Sequence, residues 1–290
     1  MSQMPSDATR RIDSASSPPP TGGSPNNSPT LSLRRTFAIA RNAFREAVRD
    51  RVLYNLVLFV LLLIGGAIFL GELSAGQEAK IIVDLGLSAM LLFGVFIAIF
   101  VGVGLVYKEI ERRTLYAILS KPVSRGQFLL GKYLGLCATL FVNVLIMGLG
   151  VSLALVYIHR GWDPLVVNIW PAILLIYFEL ALITGVALLF SSFSSPALSA
   201  LLTFFVFIIG HFSSDLKALA NSSSSASARF VFRALYYLLP NLTNYSAIAA
   251  ASHGTVPDLA SVLLAIAYAI VYSALLLAAA SLIFGRRNFK

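Results

Sequence analysis

Few side chains in this sequence have the types and spacing that catalysis needs. The three histidines, His159, His211 and His253, stand far apart at or beyond the ends of apolar runs. None falls in an H-E-x-x-H or other paired-ligand pattern. No G-x-x-x-x-G-K-[ST] stretch is present, so the chain carries no phosphate cradle of that kind. The single cysteine, Cys137, lies within an apolar run and permits neither an intramolecular disulfide nor a cysteine-rich metal site. Two polar residues inside apolar runs remain, Glu179 and Asn143. An acidic group within a membrane helix costs on the order of a few kcal/mol even on the lenient insertion scale. Glu179 is therefore expected to face other helices, a cavity or a subunit seam. It and Asn143 are candidates for a substrate path or for helix packing through a structural hydrogen bond. Tyr177 and Thr184 are polar neighbours of Glu179 on the same run without being obvious partners.

The densest charge lies elsewhere, in the polar passage from Lys108 to Lys132. Six basic residues, Lys108, Arg112, Arg113, Lys121, Arg125 and Lys132, stand there against Glu109 and Glu111. Ile110, Leu115, Ile118 and Leu119 recur at roughly helical spacing. Pro122 stops that run. Ser124 and Gln127 then have the S-x-x-Q spacing of a capping box that starts a helix into Phe128, Leu129 and Leu130. A capped turn between two spans can present a rigid knob to a cytoplasmic partner. A solvated connecting loop is the plainer alternative.

The elements that must hold these residues follow from composition. Hydrophobic residues make up 58% of the 290 positions and charged residues 12%; mean hydropathy is +0.82. That excludes an ordinary soluble domain, where about a quarter of residues are charged. The net charge of +9 sits at the ends of apolar runs, so lipid head groups and topology account for it and nucleic acid is not an expected partner. Apolar runs of near span length cover about Val52 to Leu70, Leu85 to Tyr107, Tyr133 to Ile158, Leu165 to Phe190, Pro196 to Phe212 and Leu259 to Phe284. The expected fold class is an all-α integral membrane protein with six transmembrane helices. An amphipathic interfacial helix from Arg34 to Arg51 precedes them, with Phe37, Ala40, Phe44 and Val48 on its apolar face. Residues 1–30 read as a disordered cytoplasmic tail without a signal-peptide h-region, and 31–290 as the membrane domain. Lys and Arg cluster before the first span, between spans two and three, and at the C-terminus, which puts both termini in the cytoplasm. The segment 213–258 then lies outside, and its Phe230–Leu239 stretch is expected to form a short helix at the outer membrane surface. Gly94, Ala98 and Gly102 on span two mark close packing, within one subunit or between two.

The series Glu109, Glu111, Thr114-Leu115, Leu119-Ser120-Lys121-Pro122-Val123-Ser124-Arg125 and Gly131-Lys132 resembles the first cytoplasmic loop of ABC-2 type transporter permeases. The resemblance extends more weakly from about Arg34 to the C-terminus, and is most specific in this loop and in Leu238-Leu239-Pro240-Asn241-Leu242. Many relatives carry Gly where this chain has Arg113. The resemblance implies a permease subunit, mostly of exporters, in the bacterial plasma (inner) membrane. It implies a second permease subunit, identical or related, and a separate ABC ATP-binding subunit that carries the ATP and Mg. No cofactor is implied in this chain. Glu109, Glu111, Thr114, Pro122, Ser124 and Arg125 become candidates for coupling to the ATPase, and 213–258 a cap over the external mouth. A stand-alone ion-coupled carrier, with Glu179 as its sole midplane acid, and a non-transporting scaffold for envelope assembly are the rival readings.

Overall fold

The computed structural model describes residues 29–47, 58–59, 62–63, 65–66, 77–111, 125–223 and 225–286. Every regular element among them is a helix, as expected where backbone polar groups must be satisfied inside the segment. In chain order they are α1 (Pro29–Ala47), α2 (Glu78–Glu111), α3 (Arg125–His159), α4 (Pro164–Asn168), α5 (Trp170–Ser191), α6 (Pro196–His211), α7 (Ser213–Ser222), α8 (Ala226–Leu238), a 3-10 turn (Leu242–Tyr245), α9 (Ile248–Ser252) and α10 (Leu259–Arg286).

Four stretches, Glu78–Gly104, Gly126–His159, Pro164–Ser191 and Leu259–Ile283, are long and apolar enough to cross a bilayer. The α6 and α7 helices are long and apolar enough only as a pair, and that pair is bent by 65° at Phe212, as in a broken span or a re-entrant loop. The first expected span, Val52 to Leu70, falls largely outside the described residues. The other expected spans fall on α2, α3, α4 with α5, α6 and α10; α1 begins earlier than expected, at Pro29, and α2 and α3 run farther than their apolar cores. At 34 and 35 residues and about 1.5 Å per residue, each is roughly 50 Å long against a hydrocarbon layer of about 30 Å.

The apolar residues of α5 go all the way round, which makes it the central helix. Seventy-two per cent of the apolar stretch it centres is buried, against 22% for that of α10 at the periphery. The glycine stripe of α2 settles against α5. A Cβ on Gly94 would collide with Leu180, and one on Gly102 would sit 3.4 Å from Ala187 Cβ. The stripe therefore packs within one subunit.

Turn chemistry sets the connections. Arg160 takes a left-handed φ of 51° after α3, and Gly161 N–H reaches back to Val156 O at 3.2 Å, a helix-ending motif. Asp163 then caps α4 by accepting from Leu165 N–H at 2.7 Å, with Pro164 opening the helix. Ser195 is extended ahead of Pro196, which opens α6. These turns place Gln77, the Asp163–Asn168 stretch and Ser252–Gly254 together at one end of the bundle, around a cleft of about 470 Å³. At the opposite end the start of α3 meets α10: a Cβ on Gly126 would lie 3.2 Å from Ser281 Oγ. A small separate core forms there from Leu129, Leu136, Leu188, Leu277 and Ala280.

Candidate functional site

Chemistry-bearing residues gather at two places. The first is the base of the charged loop. Glu109 and Glu111 lie in the last turn of α2, and Arg125 opens α3. Thr114, Pro122 and Ser124 lie outside the described residues. The helix starts at the residue after Ser124, where the capping spacing puts it.

What braces this base is α1, which packs across the first turns of α3. A Cβ on Gly131 would stand 2.7 Å from Ile39 Cγ2 and 3.0 Å from Thr36 O. On Gly135 it would stand 2.5 Å from Ala40 O and 2.6 Å from Ala43 Cβ. The two glycines therefore let one helix backbone rest on another. Between them Lys132, 1% exposed, holds its Nζ 3.6 Å from Glu46 Oε2 and 5.9 Å from the centre of the Phe128 ring. A buried ammonium without a counter-charge would be strongly destabilising, so the pair fixes α1 in register on α3.

This contact corrects the apolar face expected for α1. Thr36 and Ala43 are buried and Ala40 half-buried, whereas Phe37 is 72% exposed. Large apolar residues suggest one face, but close backbone contact selects the small ones.

The second place is at the other end, where the segment after α8 enters the bundle. Leu242 and Tyr245 are fully buried, and Leu242 packs on Gly210, where a Cβ would meet it at 2.8 Å. Asn241 is the centre of a hydrogen-bonded lock. Its side-chain oxygen accepts from Ser213 Oγ and from Thr243 N–H at 3.2 Å. Its backbone N–H donates to Tyr268 Oη at 3.0 Å. Tyr272 Oη donates to Leu238 O at 2.9 Å, and Tyr245 Oη to Ala265 O at 2.8 Å. Thr243 Oγ1 donates to His211 O at 3.2 Å, so a hydroxyl takes over a carbonyl at the end of α6, where the α6–α7 bend begins. Burial raises the Tyr245 hydroxyl above its ordinary pKa, with Tyr268 and Glu179 adding to the effect. That hydroxyl stays protonated and remains a donor.

Beneath this lock lies Glu179, 1% exposed. Its Oε1 stands 3.5 Å from His211 Nε2, on a side chain 27% exposed, and makes no hydrogen bond among the described residues. The His211 ring leans on Phe207 at 4.8 Å between centroids. Thr184 is spent on its own helix, donating to Leu180 O at 2.8 Å, and Tyr177 meets Phe141 edge-on at 5.5 Å. Asn143 is 2% exposed, and neither atom of its carboxamide has a hydrogen-bond partner among the described residues. The structure thus brings His211 to Glu179, a meeting that sequence spacing does not show. Tyr268 and Tyr272, four apart on an otherwise apolar helix, carry a signal that could have marked the lock's anchor.

Together these groups can hold a proton or a polar ligand and can brace helix ends, but they form no nucleophile–base pair. Among the described residues no group of three or more His, Cys, Asp or Glu could hold a metal. A Pseudomonas aeruginosa protein named "Probable ABC transporter permease protein NosY" is 32% identical over 103 residues, 34% of this chain and 38% of that protein. A Stutzerimonas stutzeri protein of the same name is 29% identical over 134 residues, 44% of this chain and 48% of that protein. The chain thus matches less than half the length of either relative. The profile of the family described as "ABC-2 family transporter protein" matches residues 37–289, nearly the whole membrane region. The chain belongs to the ABC-2 family of transporter proteins.

Proposed function

We propose that the chain is the permease subunit of an ABC-2 exporter, with six spans, both termini in the cytoplasm and ATP hydrolysis supplied by a separate subunit. Two permease subunits, identical or related, enclose the path in a bacterial inner membrane. Two ATP-binding subunits carrying ATP and Mg dock beneath the 108–132 loop. Their closure pushes the loop through Glu109, Glu111, Thr114, Pro122, Ser124 and Arg125, and α2 and α3 carry the displacement into the bilayer. Both relatives bear the name of ABC transporter permeases, which supports the subunit assignment.

The observation that carries the reading is the mechanical continuity of the loop's two sides. The helix α2 extends seven residues past Gly104, the end of its apolar stretch, or about 10 Å. On the other side, α3 is clamped by α1 through Gly131, Gly135 and the Lys132–Glu46 pair. A push on the loop would therefore be passed to the end of α2 and to the start of α3 that α1 clamps. The test is ATPase activity of the assembled complex. Replacing Glu109, Glu111 and Arg125 together should remove bound ATPase while leaving the permease folded; retention of bound, active ATPase counts against the loop as the docking element.

The Glu179–His211 pair favours one second reading, a proton-coupled carrier that works alone. Substrate movement driven by a proton gradient in vesicles of the purified chain alone, abolished in Glu179→Gln, would support it over the ATP-driven reading.

A further inference from the structure

Opposite the face that grips α3, α1 carries a basic stripe. At about 100° per residue, Arg34, Arg41 and Arg45 fall within roughly 40° of one another, while Thr36 and Ala43 fall about 180° away. The structure agrees with that geometry: Thr36 and Ala43 are buried, whereas the three arginines are exposed. With Phe37, Ala38 and Asn42 they line an open groove of about 310 Å³. The acid nearby, Glu46, is paired with Lys132.

We propose that this groove binds the phosphate head group of an anionic phospholipid, with Phe37 entering the glycerol and upper acyl region beside it. Three guanidiniums along one face complement a row of phosphodiesters. A 72% exposed phenylalanine at the edge of such a row suits a bilayer surface better than water or a purely polar partner. The first apolar run begins at Val52, five residues past the end of α1, which keeps the helix at the interface. Because the opposite face is fixed to α3, a bound lipid also holds the base of the 108–132 loop at a set height. Head-group binding itself does not depend on the transport reading, and the test below needs neither substrate nor ATPase.

The full chain is purified in neutral detergent and mixed with micelles of phosphatidylglycerol or phosphatidylcholine; lipid retained per protein and melting temperature are then measured. The wild type should retain phosphatidylglycerol over phosphatidylcholine by about tenfold or more, with the preference falling steeply in about 1 M salt. Arg34→Gln, Arg41→Gln and Arg45→Gln combined should lose that preference and the accompanying thermal shift. An Arg229→Gln/Arg233→Gln protein should keep both. An undiminished preference in the triple variant overturns the proposal. So does an equal thermal shift with inorganic phosphate, which would assign the groove to a free anion. Should the triple variant fail to fold, a photoactivatable phosphatidylglycerol on the wild type decides. Labelling of the Arg34–Arg45 peptide supports the site, and labelling confined to the other helices rejects it.

Discussion

A carboxyl group at the middle of α5 persists because it is closed off on every side and sits next to His211. Its position makes a charge of the wrong sign intolerable. Glu179→Lys places an ammonium beside that imidazole, without water, and should destabilise the folded protein by several kcal/mol; the yield of monodisperse protein reads this directly. Glu179→Gln keeps the shape and should fold normally. If it also transports normally, Glu179 belongs to packing and not to the path. Asn241→Ala removes an acceptor shared by Ser213 Oγ and Thr243 N–H, which should cost about 1–3 kcal/mol and lower the melting temperature in detergent. Glu179 was legible as an acid in an apolar run. His211 was not, because it comes from a different helix, 32 positions away, and stands at a span end. The Asn241 lock was legible only as a motif. Its hydroxyl donors come from residues that each look unremarkable in their own segment.

The helices themselves were largely written in apolar runs and caps. Ser124 marks the start of α3 and Pro196 the start of α6. The sequence did not reveal how α1 turns, since hydrophobic size points to Phe37 and the structure points to Ala43. The reason lies in the partner: Gly131 and Gly135 leave room for a backbone and for little else. Gly135→Val should therefore dislodge α1, because the obstructing atom is a backbone carbonyl that cannot swing aside, at about 1–3 kcal/mol. Gly104→Ala is the contrast. Nothing lies within 4 Å of a Cβ there, so it should be neutral or stabilising by up to about 1 kcal/mol. Melting temperatures of the two proteins in one detergent check both. Equal losses would mean that the α1–α3 contact is looser than the geometry shows. The end of α6 was legible as the end of an apolar run at Phe212, just past Gly210, but the 65° turn into α7 was not, because Thr243, some 30 residues on, supplies the hydroxyl that stabilises it.

For the molecule as a whole, the charge distribution and the helix ends make one architecture. The base of the charged loop, where α2 ends and α3 begins, and the C-terminal end of α10 lie at one end, and the lock, α8 and the turn at Arg160 lie at the other. Single-cysteine labelling in a Cys137→Ser background should follow this division: Ala117→Cys should react only from the cytoplasmic side and Trp162→Cys only from outside. Labelling of both from one side would contradict six spans with cytoplasmic termini. Membrane class was legible because composition and run length leave little choice. The partner was not, since a docking loop declares its charge and not what it fits. The central claim is that this loop seats an ATPase, and purification of the tagged chain in mild detergent tests it most directly. A P-loop ATPase should accompany the wild type and be absent when Glu109, Glu111 and Arg125 are replaced together. A stable, well-expressed protein that never brings one down under conditions preserving such complexes would contradict the account.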